Sequence, residues 1–437
     1  MSPVSGPRMT PTAEEANAFA HIRRRLVPFL FVLYVVSYLD RVNVGFAALQ
    51  MNRDLGFSAS VYGFGAGIFF LSYVLFEVPS NLIMVRTGAR RWIARIMITW
   101  GFASAGMMFV HDATSFYAMR FVLGLAEAGF FPGMVLYLTQ WFPAAERART
   151  IASFMTATAL AGVVGGPMSA MLLSLDGALG LRGWQWLFLL EGAPAVLLGV
   201  LVLRVLPDRP DEATWLTDDE RRLVTARLAD DAARAPHAHT TMRAALATPR
   251  LWALALLYLT IVIAFYGVGF FTPQILSGLT GGSPVAVALL SAVPYMCAAV
   301  AMVYVGIHSD RVDERRWHVA GSALAGAVGL ACTGLTSHPL VGLLFLSLAA
   351  AGIWSTLGPF WAIPPAFLRG TAAAGGIAII NSVGNVGGFI GPSVMGFVKD
   401  QTGDFTYALF LLASTLVVAA GLALGLRDHA GGARPER

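Results

Sequence analysis

The stretch "SYLDRVN", residues 37–43, sets an aspartate beside an arginine inside the apolar run "LVPFLFVLYVVSYLDRVNVGFAALQ" of residues 26–50. A run of that length crosses a bilayer, which takes about 20 apolar residues. A charge buried there costs about 3 kcal/mol or more on insertion scales. The rest of the chain decides whether the bilayer is the right setting. Of its 437 residues 57% are hydrophobic and only 13% charged, with a mean hydropathy of +0.67. Soluble domains carry about 25% charged residues, so the solvent here is lipid.

Apolar runs recur along the whole chain. They predict twelve helices, near 25–48, 60–85, 92–110, 114–137, 148–174, 185–206, 250–275, 285–307, 317–337, 339–360, 372–398 and 405–427. The expected fold is an all-α integral membrane protein with twelve transmembrane helices in two pseudo-symmetric six-helix bundles. Residues 1–24 form a cytoplasmic N-terminal segment without the apolar core of a signal peptide, so the first span is retained. Residues 25–206 and 249–427 form the two bundles, 207–248 a cytoplasmic linker, and 428–437 a cytoplasmic tail.

The charges fix an expected orientation. With the N-terminus inside, cytoplasmic segments hold 25 of the 30 basic residues, and outer segments hold three, Arg53, Arg182 and Lys399. That asymmetry follows the positive-inside rule and puts both termini in the cytoplasm of a bacterial inner membrane. It also accounts for the pI of 9.4 without nucleic acid. Cys297 and Cys332 sit in apolar helices with no metal-ligand spacing, and the histidines lie in loops or at helix ends. The single lysine, Lys399, stands outside any Gly-rich loop, so the ATP-binding pattern GxxxxGK[ST] is absent. No nucleophile–base pair, metal cluster or cofactor motif points to an enzyme.

Two landmarks argue that one half duplicates the other. Arg86 and Arg311 follow the second and eighth helices at an offset of 225 residues, and Gly166-Pro167 and Gly391-Pro392 share that offset. A parallel repeat of six helices is an architecture for alternating access, in which two bundles rock about a site near the midplane.

The offset gives the buried charges their meaning. Asp40 lies roughly 22 Å along the first helix at 1.5 Å per residue. Arg120 and Glu127 lie on one face of the fourth helix, seven residues apart. Shifted by 225, Asp40, Arg41, Arg120 and Glu127 become Phe265, Tyr266, Phe345 and Gly352. Salt bridges required by the fold would appear in both copies; these appear in one, which favours function. Arginine stays charged and grips a carboxylate with two parallel hydrogen bonds, so Arg41 and Arg120 are candidate anion clamps. Asp40 and Glu127 are candidate proton carriers. With both acids neutral the site is net +2 and attracts an anion; with both ionised, the acids compete for the arginines. Loading proton and anion together is symport. Tyr38, Tyr73, Tyr266, Ser355 and Asn381 are candidate polar contacts for the substrate. Glu77 and Glu191 are read as structural.

At this point the residues resemble a known group. The segments "YLDRVNVGFAALQMNRDLGFS", "RFVLGLAEAGFFPGMVLYLTQWFPAAERAR", "FLLEGAPAVLLG" and "FWAIPPAFLRGTAAAGGIAIINSVGNVGGFIGP" resemble the anion:cation symporters of the major facilitator superfamily. The resemblance covers essentially the whole chain. It implies proton sites at Asp40 and Glu127 and an anion site at Arg41 and Arg120. It also implies gating by Asp310 and Arg311, since the loop pattern GxxxDRxGRR is kept at 306–316 but degraded after the second helix, with Asn81 and Val85 at its glycine and acid. The expected activity is proton-coupled import of a small organic anion such as tartrate or a sugar acid, by a monomer without a cofactor. The alternative is an exporter or exchanger, since Gly162-x-x-x-Gly166-Pro167 keeps part of the antiporter pattern of the fifth helix.

Overall fold

The structure, a computed structural model, describes residues 12–234, 248–364 and 371–426. Arg369, the 428–437 tail and part of the linker lie outside the described residues. Among the described residues eleven helical spans are long and apolar enough to cross a membrane, and the shorter apolar stretch Leu160–Leu173 belongs to a twelfth. In chain order the α-helices are α1 Ala13–Leu55, α2 Ala59–Thr87, α3 Ala89–Gly106, α4 Ala113–Glu127, α5 Phe130–Thr139, α6 Ala144–Leu173, α7 Gly183–Val205 and α8 Asp218–Arg234. They continue with α9 Pro249–Thr280, α10 Pro284–Leu290, α11 Ala292–Val312, α12 Arg316–Leu335, α13 Pro339–Ser355, α14 Leu357–Ala362, α15 Thr371–Thr402 and α16 Thr406–Gly425.

Local chemistry sets the boundaries. α1 outruns the predicted 25–48 because Thr12 and Glu15 form a capping box at its start. Gly56, in the left-handed region at φ 67°, ends it. A capping box of Thr217 and Glu220 opens α8, whose Glu220 also meets His21 of α1 at 3.0 Å.

The fourth span departs from expectation. The predicted helix 114–137 is broken into α4 and α5 at Ala128–Gly129. Gly129 takes φ +85°, and a Cβ there would lie 2.5 Å from Ser80 Oγ. Pro132, three residues on, has no N–H to continue the α4 ladder. The second half repeats the device: α13 ends at Ser355, and Pro359 stands three residues after Thr356.

α1, α3, α4, α6 and α7 pack together in the first bundle with α2, and α9, α11, α12, α13 and α16 in the second with α15. The bundles meet through α2 with α15, α6 with α10 and α11, and α1 with α9. These contacts obey the duplication. A Cβ on Gly63 would lie 2.2 Å from Pro392 O, and one on Gly166 would lie 2.5 Å from Ala288 O. Gly63 and Ala288 are 225 apart, so the same close approach occurs twice with the halves exchanged. At the face opposite the termini, Asp400 accepts from the first backbone N–H groups of α2, Ala59 at 3.0 Å and Ser60 at 2.8 Å. That carboxylate satisfies donors which a helix start leaves free.

Candidate functional site

Asp40 and Arg41 leave α1 in different directions, because neighbouring helical residues are about 100° apart. Arg41 turns toward the seam between the bundles. Its Nη2 donates to Glu127 Oε1, and its Nη1 donates to Tyr266 Oη at 3.4 Å. Tyr266 is the residue that the 225 offset pairs with Arg41, so counterparts from the two halves touch across the seam. The guanidinium lies 5.3 Å from the Tyr73 ring centroid and 5.5 Å from that of Phe69.

Glu127 is the last residue of α4, where the break at Gly129 begins. Its Oε1 also accepts from Ser37 Oγ at 3.0 Å, one turn before Arg41, while its Oε2 has no partner among the described residues. The ion pair is therefore incomplete on the acid's side. Only 11% of the Arg41 side chain and 1% of the Glu127 side chain are exposed.

Arg120 stands apart. It is fully buried and donates from Nε to Gly65 O at 3.3 Å and from Nη2 to Ala66 O at 3.1 Å, both on α2. Its third nitrogen, Nη1, has no partner among the described residues. It shares the Phe69 ring with Arg41, at 5.0 Å. The spacing of seven puts Arg120 on the Glu127 face, but no ion pair joins the two; exposure makes Arg41 the arginine a ligand reaches first.

Asp40 points into the first bundle, toward α3, where its Oδ1 accepts from Ser104 Oγ and from Asn43 Nδ2. It does not join Arg41. Tyr38 is buried, and Ser355, the last residue of α13, is buried with its Oγ unpartnered among the described residues. Asn381 reaches the first bundle: its Nδ2 donates to Glu77 Oε1 at 3.1 Å. Glu77, read from sequence as structural, thus links α2 to α15; its depth was legible, its direction was not.

Asp310 pairs with Arg315 at 2.7 Å, not with the exposed Arg311. In the first half, where Val85 replaces the acid of the loop pattern, Asp208 from the linker accepts from Arg90 N at 2.7 Å and sits against Gly88. A carboxylate at the start of α3 is favoured by the free N–H groups there. Sequence reasoning missed this residue because it lies more than a hundred positions from the loop it serves.

A cavity of about 550 Å³ opens elsewhere, near the face opposite the termini, between the ends of α1 and α9. Asn52 and Gln274 line it, at a distance from Arg41 of about 16 Å along α1. The buried arginine–carboxylate pair carries far more chemistry than this lining, and its guanidinium reaches both halves, through Glu127 and Tyr266.

Known proteins share this sequence and this fold. Residues 30–392 match the family model of the Major Facilitator Superfamily. The chain is 53% identical over 414 residues to a "Putative tartrate transporter" of Agrobacterium vitis, covering 94% of this chain and 95% of that one. It is 44% identical over 410 residues to the "Putative metabolite transport protein NicT" of Pseudomonas putida, covering 93% and 94%. Among solved structures, a bacterial homologue of the human lysosomal transporter Spinster, inward-facing and occupied, superposes with a TM-score of 0.75 over 92% of this chain and 96% of that one, at 16% identity. With the family model spanning most of its helices and close relatives along nearly its full length, the chain belongs to the major facilitator superfamily and is a multi-pass membrane transporter.

Proposed function

We propose that this transporter is a proton-driven importer of a small organic anion, a hydroxylated dicarboxylate such as tartrate or a sugar acid. It works as a monomer in the bacterial inner membrane with both termini cytoplasmic, and it draws on the proton gradient with no cofactor. One observation carries the reading: Arg41, the more accessible buried arginine, is held by the carboxylate of Glu127.

An anion and Glu127 compete for the same guanidinium. A proton on Glu127 removes its charge and frees Arg41, and a substrate carboxylate then takes the place of Oε1. Tyr266 reaches the same guanidinium from the second bundle, so occupancy at Arg41 is felt by both halves. Deprotonation returns Glu127 to Arg41 and expels the anion. Neither ligand is retained well without the other, which is the condition for symport. A ligand shifts an equilibrium between two conformations by its differential affinity for them; here the seam through Arg41 and Tyr266 supplies that difference. Similarity to a protein named for tartrate supports the substrate class.

The test is acidification of the lumen of proteoliposomes when tartrates, galactonate, glucarate, phthalate, hydroxyphenylacetate or nicotinate is added outside. Proton entry evoked by a hydroxylated acid supports import by symport. Anion movement against the proton flux places the chain among exporters or exchangers, and anion flux without proton movement removes the coupling.

A further inference from the structure

Three buried oxygens in the first bundle lack a hydrogen-bond donor among the described residues: Asp40 Oδ2, Asn43 Oδ1 and Glu191 Oε2. All three side chains are nearly inaccessible, at 1%, 1% and 4%. They come from α1 and from the middle of α7, helices that pack on each other. Hydroxyls complete the surroundings. Ser104 of α3 donates to Asp40 Oδ1, and Ser169 of α6 donates to Glu191 Oε1 at 3.3 Å. The Asn43 amide bridges toward Asp40 at 3.2 Å, and both Asp40 and Asn43 lie within interaction range of Glu191.

The charges around this cluster are uneven. Arg120 of α4 and Glu127 act on Asp40 from a distance, and Trp100 of α3 faces it; the charged group facing Glu191 is Asp40. Neither Asp40 nor Glu191 forms an ion pair among the described residues. Two carboxylates that each keep one oxygen without a donor among the described residues are not sustained as charges in a dry interior, where a buried charge must be paired or neutralised. An all-oxygen donor set of carboxylates, amide and hydroxyls suits a hard cation.

The duplication makes the cluster a choice and not a requirement of the fold. At the offset of 225, Asp40, Asn43, Ser104 and Glu191 become Phe265, Val268, Gly329 and Leu416, all buried and apolar. The second bundle closes around hydrocarbon where the first closes around orphaned oxygens.

We propose that Asp40, Asn43 and Glu191 form a site for one monovalent cation, a proton or sodium, inside the first bundle and separate from the Arg41–Glu127 pair. Glu191 becomes a third acid of the coupling machinery; that consequence rests on the transport reading above, whereas the site itself does not. The cation bridges Asp40 and Glu191 and removes one of their two negative charges, and its loss leaves like charges opposed across the contact of α1 with α7.

The experiment uses the purified full chain without any organic substrate. Infrared difference spectra between acid and alkaline pH report protonated carboxyls. Thermal unfolding in sodium chloride against N-methyl-D-glucamine chloride at equal ionic strength reports sodium, because a ligand that binds only the folded state stabilises it. If the cation is a proton, a carboxyl band is lost in Glu191→Gln and shifted in Asp40→Asn, and sodium has no effect. If it is sodium, the unfolding midpoint rises with sodium in the wild type and not in Glu191→Gln. Should Glu191→Gln fail to fold, Glu191→Asp and Ser169→Ala are expected to move the same signal. A wild type blind to sodium, with a carboxyl spectrum untouched by every variant at Glu191, overturns the proposal. Failure of the transport reading shows separately, as absent anion-evoked proton flux with these signals intact.

Discussion

The two bundles share one plan and differ in what they bury. Both break their fourth helix in front of a proline, both press Gly-Pro helices against the partner, and both contribute to one seam. Yet the first bundle buries Asp40, Arg120, Glu127 and Glu191, while the corresponding positions of the second hold Phe265, Phe345, Gly352 and Leu416. The difference separates what the fold needs from what the activity needs. Close packing of small residues and helix breaks recur in both copies and serve the fold. Charge occurs once, and under the proposed function it serves the ligands.

This contrast can be broken first at Arg41. Arg41→Ala removes the cation from a buried pair and strands Glu127, a change worth about 3–5 kcal/mol. Anion-evoked flux should vanish in folded protein; persistence of the flux would move the anion site away from the seam. Arg120→Ala sharpens the comparison, because Arg120 holds two carbonyls of α2. Hydrogen bonds from charged groups contribute about 1.5–3 kcal/mol each. The loss should appear mainly as a lower unfolding midpoint, with anion affinity reduced less than in Arg41→Ala. Affinity abolished at unchanged stability would put Arg120 in direct contact with the anion.

Gly129→Ala tests the break itself. Its φ of +85° and the Ser80 contact should make the substitution destabilising by about 1–3 kcal/mol, measured by thermal unfolding. At the corresponding break, Thr356→Ala loses one hydrogen bond to Ile353 O and should cost about 1 kcal/mol. Equal effects would mean that the two breaks are held in the same way. The smallest change is Tyr266→Phe, which removes a neutral partner of Arg41 from the second bundle. A hydrogen bond of about 0.5–1.5 kcal/mol translates to an anion affinity weaker by about two- to tenfold. A loss as large as that at Arg41 would show that the second bundle holds the anion directly.

Much of this was legible in the sequence. Hydropathy gave the spans, and the 225 offset gave the duplication and singled out the unmatched charges. Depth follows from counting along a helix, so the acids and arginines were expected inside the spans, and they lie buried or nearly so within helices of membrane-crossing length. Rotation about the helix axis does not follow from counting. Asp40 and Arg41 are neighbours in sequence and face different helices. Arg120 and Glu127 share a face, yet the carbonyls of Gly65 and Ala66 take up one and Arg41 the other. Glu191, read as structural from its position, stands in the polar cluster of the first bundle because α7 packs on α1, which pattern along one helix does not reveal. The break at Gly129 was hidden inside one continuous span of predicted helix, with Gly129 and Pro132 as its local signals.

The central claim is that Glu127 carries the proton that governs Arg41, and Glu127→Gln tests it most directly. Two fluxes are compared in proteoliposomes for wild type and variant: concentrative anion uptake driven by an inward proton gradient, and gradient-free exchange of labelled anion for unlabelled. The account predicts that the variant loses gradient-driven uptake while exchange continues, since an amide leaves Arg41 free for the anion and has no proton to give. Concentrative uptake that still follows the proton gradient in Glu127→Gln would contradict it.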